Sequence, residues 1–85
     1  MLINWISKVG GKELWALLNL KQKFGKKLQT LRKTSGLTQE QVAQVTNLTI
    51  ESISNIERGI HGPTFDNLEK IAAAVNVEVK ELFDF

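Results

Sequence analysis

The stretch LTQEQVAQVTNLTIESISNIERG, residues 37–59, decides the fold of this chain. Two short runs with helical periodicity meet at Asn47, and each run opens on a threonine suited to an N-cap, Thr38 or Thr49. Thr38 and Gln41 also have the spacing of a capping box. A tight turn between two helices needs a residue at positive φ, and asparagine is one of the few residues besides glycine that tolerate it. The stretch therefore predicts a helix, a tight turn at Asn47 and a second helix that ends at Gly59.

Helical periodicity continues on both sides of this stretch. Upstream, Phe24, Leu28 and Leu31 lie at i, i+4 and i+7, and the pair Ser35-Gly36 is a helix stop signal. Downstream, Gly62-Pro63 indicates a loop. Thr64 is then the predicted cap of a helix with a continuous apolar stripe, formed by Leu68, Ile71, Ala72 and Val75. The middle stretch is thus flanked by helices on both sides.

The C-terminal residues complete this helical pattern. Asn76 is a predicted left-handed stop, and a last short helix over about 79–84 is expected to pack Leu82 and Phe83 onto the core. The alternation over residues 75–79 is too short and unpaired to predict a strand. We therefore predict an all-α fold, a compact bundle of about five short helices with an extra N-terminal helical segment.

Length and composition restrict the class of protein. The 85 residues are enough for one small domain, and 42% hydrophobic with 24% charged residues is typical of a soluble globular chain. No apolar run approaches the roughly 18–20 residues that cross a bilayer, and residues 1–11 lack a basic leader and a small-residue cleavage site. The absence of cysteine fits a reducing compartment. These features predict a cytoplasmic protein with no membrane-spanning segment.

Charge is distributed unevenly along the chain. Residues 1–35 contain eight basic residues and one acidic residue, whereas residues 36–85 contain three basic and eight acidic ones. Such asymmetry favours an anionic partner for the basic half, although a basic helix face that is merely solvated has the same composition. Charge alone leaves both interpretations open.

Four sequence segments together resemble one family. They are FGKKLQTLRKTSGLTQEQVA, ISNIERG, the Pro-Thr-Phe run at 63–65 and LEKIAAAVNVEVKELF. In this order they resemble the phage-repressor type of helix-turn-helix DNA-binding protein, the relatives of lambda repressor and Cro (XRE type), over about residues 24–83. The family usually has glycine at the turn, so Asn47 is a departure from its pattern. A small residue at Ala43 and apolar residues at Ile53 and Ile56 agree with it.

The resemblance implies a function and a set of site residues. It implies a sequence-specific regulator of transcription, a repressor, that binds double-stranded DNA as a homodimer and reads the major groove with the helix over residues 49–58. The implied base-reading residues are Thr49, Ile50, Glu51, Ser54 and Asn55. The implied phosphate contacts are Lys33, Thr38, Gln39, Arg58 and His61. The implied structural ion pair is Arg32 with Glu57. Such a protein works in the bacterial or phage-infected cytoplasm, at the nucleoid.

Each candidate reader has its own chemistry. Ile50 can make only apolar contact, which suits a thymine methyl group, while Asn55 can pair with adenine or bond a phosphate. Glu51 can accept from a cytosine amino group, but a carboxylate in the first turn of a helix also favours the helix dipole. Both readings of Glu51 stay open.

Residues 1–20 lie outside the resemblance and form a predicted helical extension to a DNA-binding domain over residues 21–85. The extension is rich in large apolar residues, Trp5, Leu14, Trp15, Leu17 and Leu18. It can serve as an interface for a dimer or a protein partner, pack on its own domain, or lie on a membrane surface. The C-terminal ELFDF, residues 81–85, is the other candidate dimer interface.

Nothing in the sequence predicts catalysis, a cofactor or a metal site. No phosphate-binding loop or nucleophile motif is present, and His61 is the only histidine in a chain without cysteine. An alternative to the regulator is an antitoxin that binds a partner toxin through residues 1–20 and regulates its own operon.

Overall fold

A computed structural model describes residues 19–85 of the chain. Most of the predicted N-terminal extension, with both tryptophans, lies outside the described residues. Residues 19–85 form four α-helices and a 3₁₀-helix: α1 (Leu20–Thr34), α2 (Gln39–Thr46), α3 (Ile50–Glu57), α4 (Phe65–Ala74) and the 3₁₀-helix Val79–Phe83. The all-α prediction is confirmed. No helix in this part of the chain is long and apolar enough to cross a membrane.

Three of the helices begin at a threonine cap. The hydroxyl oxygens of Thr38, Thr49 and Thr64 accept from the backbone N–H three residues later, at 3.0–3.2 Å. At α2 the capping box is complete, because the Gln41 side chain accepts in return from the Thr38 N–H at 2.8 Å. These bonds satisfy N–H groups that have no partner within the helix.

All four α-helices end in the same way. The residue that stops each helix has a left-handed backbone with φ of 60–75°: Gly36, Asn47, Gly59 and Asn76. In each case the next residue donates its N–H to the carbonyl five positions earlier, which is the Schellman arrangement. The sequence predicted all four stops, and α3 itself ends at Glu57, two residues before Gly59.

In the core, α1 packs on α3, α2 packs on both α3 and α4, and the 3₁₀-helix packs on α1 and α4. The largest fully buried apolar side chains of the core are Leu28, Val42, Ile53, Ile71, Val75 and Leu82. Thr46 is also fully buried, and its hydroxyl donates to the Val42 carbonyl at 2.8 Å, so burial leaves no polar atom unpaired there.

Two glycines set the closeness of α1 and the end of α3. A Cβ added to Gly25 would lie 2.3 Å from the Ile56 carbonyl oxygen and 2.6 Å from that of Glu57. A Cβ at Gly59 would lie 2.8–2.9 Å from Gln22. Since the neighbour at Gly25 is backbone, α1 and α3 can approach this closely only with glycine there.

The C-terminal segment differs in part from expectation. Leu82 is fully buried, as predicted, but Phe83 lies at the edge of the core and is 40% exposed. Its ring centroid is 5.2 Å from that of Phe24 and 6.5 Å from that of Phe85. The helix is of the 3₁₀ type, which places successive side chains differently from an α-helix and turns Phe83 outward.

Candidate nucleic-acid interface

The predicted turn between α2 and α3 lies at Asn47. Its backbone has φ 60° and ψ 29°, and the Leu48 N–H donates to the Ala43 carbonyl at 3.1 Å. Leu48 then packs against the core, and Thr49 caps α3. Only three residues separate α2 from α3, so the two helices are held as one helix-turn-helix unit.

Helix α3 has two different faces. Ile53, Ile56 and Glu57 are buried and attach it to the rest of the molecule. Ile50 and Glu51, in the first turn, are exposed, and the next two candidates, Ser54 and Asn55, are half-buried. Ile50 is 48% exposed, although isoleucine is among the residues most often buried. The outer face of α3 therefore presents both apolar and polar groups to solvent.

Two of the predicted DNA contacts, Thr38 and Thr49, already make hydrogen bonds within the protein. The Thr49 hydroxyl accepts from the Ser52 N–H and donates to Ser52 Oγ, each at 3.0 Å. Thr38 Oγ1 accepts from the Gln41 N–H. Thr49, predicted as a base reader, and Thr38, predicted as a phosphate contact, both have helix capping as their observed role.

A buried polar cluster joins α1, α2 and the end of α3. Arg32 Nε donates to Glu57 Oε2 at 2.6 Å, and a terminal nitrogen of Arg32 donates to Glu57 Oε1 at 3.0 Å. The other terminal nitrogen donates to the Leu37 carbonyl at 2.9 Å, just before α2. The carboxylate side chain is 1% exposed and the guanidinium side chain 10%. This is the predicted ion pair between α1 and the end of α3, in the bidentate geometry that suits arginine and carboxylate.

Gln39 is the third member of this cluster. Its side-chain nitrogen donates to Glu57 Oε1 at 3.1 Å, so the first residue of α2 is bonded to the last residue of α3. Of the other predicted phosphate contacts, Arg58 follows directly after α3 and His61 lies in the next loop, both exposed. Lys33 is exposed in the last turn of α1. The cluster thus brings the Gln39 side chain to the end of α3. The last residue of α3, Glu57, directly precedes Arg58 in the chain.

Sequence reasoning missed the Gln39 bond and the Gly25 contact. The Gln39 bond has no sequence signal, since the two residues are 18 positions apart. Gly25 did have one: a glycine inside an otherwise regular helix costs stability, and such a position often marks a close approach of backbone.

A second surface of note is an apolar groove of about 200 Å³. Its apolar lining residues are Leu20, Phe24, Pro63, Phe65, Leu68 and Phe83. Phe65, the first residue of α4, is 86% exposed, and Phe85 adds a further exposed ring beside Phe83. Contiguous exposed apolar side chains of this kind are typical of a contact surface.

Comparison with known proteins agrees with this geometry. Residues 28–82 match the helix-turn-helix family HTH_3. Control protein C.BamHI of Bacillus amyloliquefaciens is 40% identical over 68 residues, which span 79% of this chain and 84% of that protein. The immunity repressor protein of Bacillus phage phi105 is 33% identical over 58 residues, or 68% of this chain and 40% of the repressor.

A solved structure is similar in both sequence and shape. The restriction-modification controller protein C.AhdI from Aeromonas hydrophila superposes with a TM-score of 0.71 at 37% identity. The match covers 73% of this chain and 94% of C.AhdI. The family match runs from within α1 into the 3₁₀-helix. Members of this family are DNA-binding regulators of transcription and not enzymes. The chain belongs to this helix-turn-helix family.

Proposed function

We propose that the chain is a sequence-specific regulator that reads the major groove of double-stranded DNA with α3, as a homodimer. The observation that carries this proposal is the outer face of α3, where Ile50 and Glu51 are exposed directly after a tight turn. An α-helix fits the major groove, and the N-terminal residues of the second helix are those that reach base edges.

The base-reading residues follow from this placement. Ile50 contacts a thymine methyl group, and Asn55 bonds an adenine or a phosphate. Glu51 accepts from a cytosine amino group, and Ser54 lies one position from Asn55 as a lesser polar contact. Thr49 contributes mainly by capping the helix, because its hydroxyl is already bonded to Ser52.

The proposed phosphate contacts come from segments before and after α3 in the sequence. Gln39 lies at the N-terminus of α2, where backbone N–H groups and the helix dipole favour an anion. Arg58 and His61 follow α3, and Lys33 adds positive charge from α1. Thr38 supports this region by completing the capping box. These contacts hold the protein on DNA whatever the base sequence.

The apolar groove is the proposed dimer interface. It combines exposed Phe65 with Leu20 and Phe83, and Lys21 is the one charged residue that lines it within residues 19–85. A two-fold interface uses the same patch on both subunits, which suits an apolar surface of this kind. A dimer also doubles the small DNA contact of one unit and reads two half-sites one helical turn apart. We therefore propose the C-terminal candidate, residues 81–85, together with Leu20 and Phe65, as the dimer interface.

The similarity to C.BamHI and C.AhdI supports a more specific role. Both are control proteins, C.AhdI of a restriction-modification system, and the match spans most of each of them. A regulator of this type, acting in the cytoplasm on the promoter of a restriction-modification operon, is the role we assign. The repressor sense rests on the phage immunity repressor, whose match covers a smaller share of that protein.

In vitro selection from random duplex DNA, followed by gel shifts at several salt concentrations, tests the proposal. We expect a two-fold symmetric motif and an affinity for it about 10³-fold or more above that for random DNA. Binding that depends on salt alone, with no selected motif, would overturn it. A second protein that co-purifies through residues 1–20 and releases the DNA on binding would instead favour the antitoxin role.

A further inference from the structure

The buried cluster of Arg32, Glu57 and Gln39 places an uncommon constraint on a surface side chain. The Glu57 carboxylate is almost fully buried and accepts three hydrogen bonds, two from Arg32 and one from Gln39. Gln39 itself is half-buried and lies at the first position of α2. A residue at the proposed phosphate-binding helix end is therefore attached to the core of the protein.

The donor count of the Gln39 amide shows what this bond leaves available. A glutamine amide has two N–H donors, and one of them is directed to Glu57 Oε1 at 3.1 Å. The second N–H has no partner within residues 19–85. The backbone N–H groups of Gln39 and Glu40 likewise have no partner within the helix, whereas that of Gln41 is bonded to the Thr38 hydroxyl.

We propose that Glu57, held by Arg32, orients the Gln39 amide so that its second N–H is directed at a DNA phosphate. Glu57 is then a positioning residue for DNA binding as well as a structural one. Glutamine side chains have much rotational freedom, and ordering one on binding costs affinity. The bond to Glu57 would remove that cost before DNA arrives. This inference deepens the DNA binding proposed above and depends on it.

The orienting step can be tested without DNA. Side-chain amide relaxation measured by NMR on the free protein should show the Gln39 NH₂ group ordered almost like the backbone. Gln44 is the matched control, because it is exposed on the same helix and makes no side-chain hydrogen bond within residues 19–85. Equal mobility of the two amides would overturn the orienting role of Glu57.

The phosphate contact is tested with Gln39→Met, which keeps the side-chain length and removes both N–H donors. We expect about tenfold weaker binding to selected and random DNA alike. The slope of log affinity against log salt should be unchanged, because glutamine carries no charge and releases no counterion. Gln44→Met is the control and should bind as wild type, and circular dichroism would confirm that both variants are folded.

Single methylphosphonate substitutions in the selected DNA locate the contact. At one phosphate, removal of the charge should weaken wild-type binding but have no further effect on Gln39→Met. Two outcomes would exclude this contact and leave the regulator function standing. Either Gln39→Met binds with wild-type affinity, or the loss from each methylphosphonate is the same in Gln39→Met as in the wild type. If wild-type protein itself selects no motif, the proposed function fails first, so the two failures are distinguishable.

Discussion

Asn47 is the residue on which the turn between α2 and α3 depends. It takes the same left-handed conformation as Gly36 and Gly59, although a side chain costs free energy there. Asparagine bears this cost better than most residues. The backbone therefore tolerates asparagine in place of the glycine usual in this family. Asn76 at the end of α4 has the same left-handed conformation.

Substitution of Asn47 tests this account. Asn47→Gly should change the free energy of unfolding by no more than about 1 kcal/mol, with stabilisation expected, because relief of strain is partly offset by a more flexible unfolded chain. Asn47→Val should destabilise by about 1–3 kcal/mol, because a β-branched residue is forced to positive φ. Urea denaturation measures both.

Asn76 gives the matched control for that experiment. Asn76→Gly and Asn76→Val should have similar effects on stability, but only Asn47→Val should also weaken DNA binding in proportion to the distortion of α3. If valine were tolerated at 47 and glycine were not, the turn would lie elsewhere.

At the scale of elements, the contact between α1 and α3 is set by Gly25. At an exposed position inside a helix, Gly→Ala raises the free energy of unfolding by up to about 1 kcal/mol. At Gly25 the new Cβ would meet two backbone carbonyls at 2.3 and 2.6 Å, so α3 must move away from α1. We expect Gly25→Ala to destabilise by about 1–3 kcal/mol and to weaken DNA binding. Gly62→Ala, where nothing lies within 4 Å, should be close to neutral in the same denaturation measurement.

The ion pair between α1 and α3 predicts a sharp difference between single and double variants. Arg32→Met leaves the Glu57 carboxylate buried without its charged partner and should cost about 3–5 kcal/mol. Arg32→Met combined with Glu57→Leu removes both charges and should be less destabilising than Arg32→Met alone. Thermal or urea unfolding measures this. If the double variant lost as much stability as Arg32→Met and Glu57→Leu do separately when summed, the pair would interact only weakly.

The outer face of α3 predicts two kinds of effect on DNA binding. Ile50→Ala and Asn55→Ala should each relax the preference for one base position by about 1–3 kcal/mol. Arg58→Ala should instead weaken binding to all sequences and lower the salt slope by about 1. Binding measured on the selected site and on its single-base variants separates the two. Identical profiles for all three variants would mean that the readers are wrongly assigned.

Sequence patterns predicted the elements better than the contacts between them. The threonine caps, the four left-handed stops and the apolar stripes are local signals within a few residues, and all are found in the structure. The Gln39 bond to Glu57 and the apolar groove depend on how helices meet, so no local pattern contains them. Gly25 lies between these cases, since its position in a helix hinted at a close contact but not at its partner.

At the scale of the whole molecule, the apolar groove predicts self-association. Phe65→Ser should weaken the dimer about tenfold or more, because a phenylalanine buried at an interface contributes more than about 1.4 kcal/mol. Val45→Ser is the control, since Val45 is 63% exposed but does not line the groove. Sedimentation equilibrium measures both variants.

The same experiment on a variant lacking residues 1–18 separates the two candidate interfaces. An unchanged dimer in that variant, with a weakened one in Phe65→Ser, supports the groove. The reverse result would move the interface to the N-terminal extension.

The two faces of α3 have a consequence for how such a protein changes over generations. Ile53, Ile56 and Glu57 hold the helix in place, whereas Ile50 and Glu51 are exposed to solvent. Exposed substitutions usually alter stability by no more than about 0.5 kcal/mol. Mutations on the outer face can therefore accumulate singly, each in a protein that still folds. A lineage can in this way move from one operator to another without passing through an unfolded ancestor.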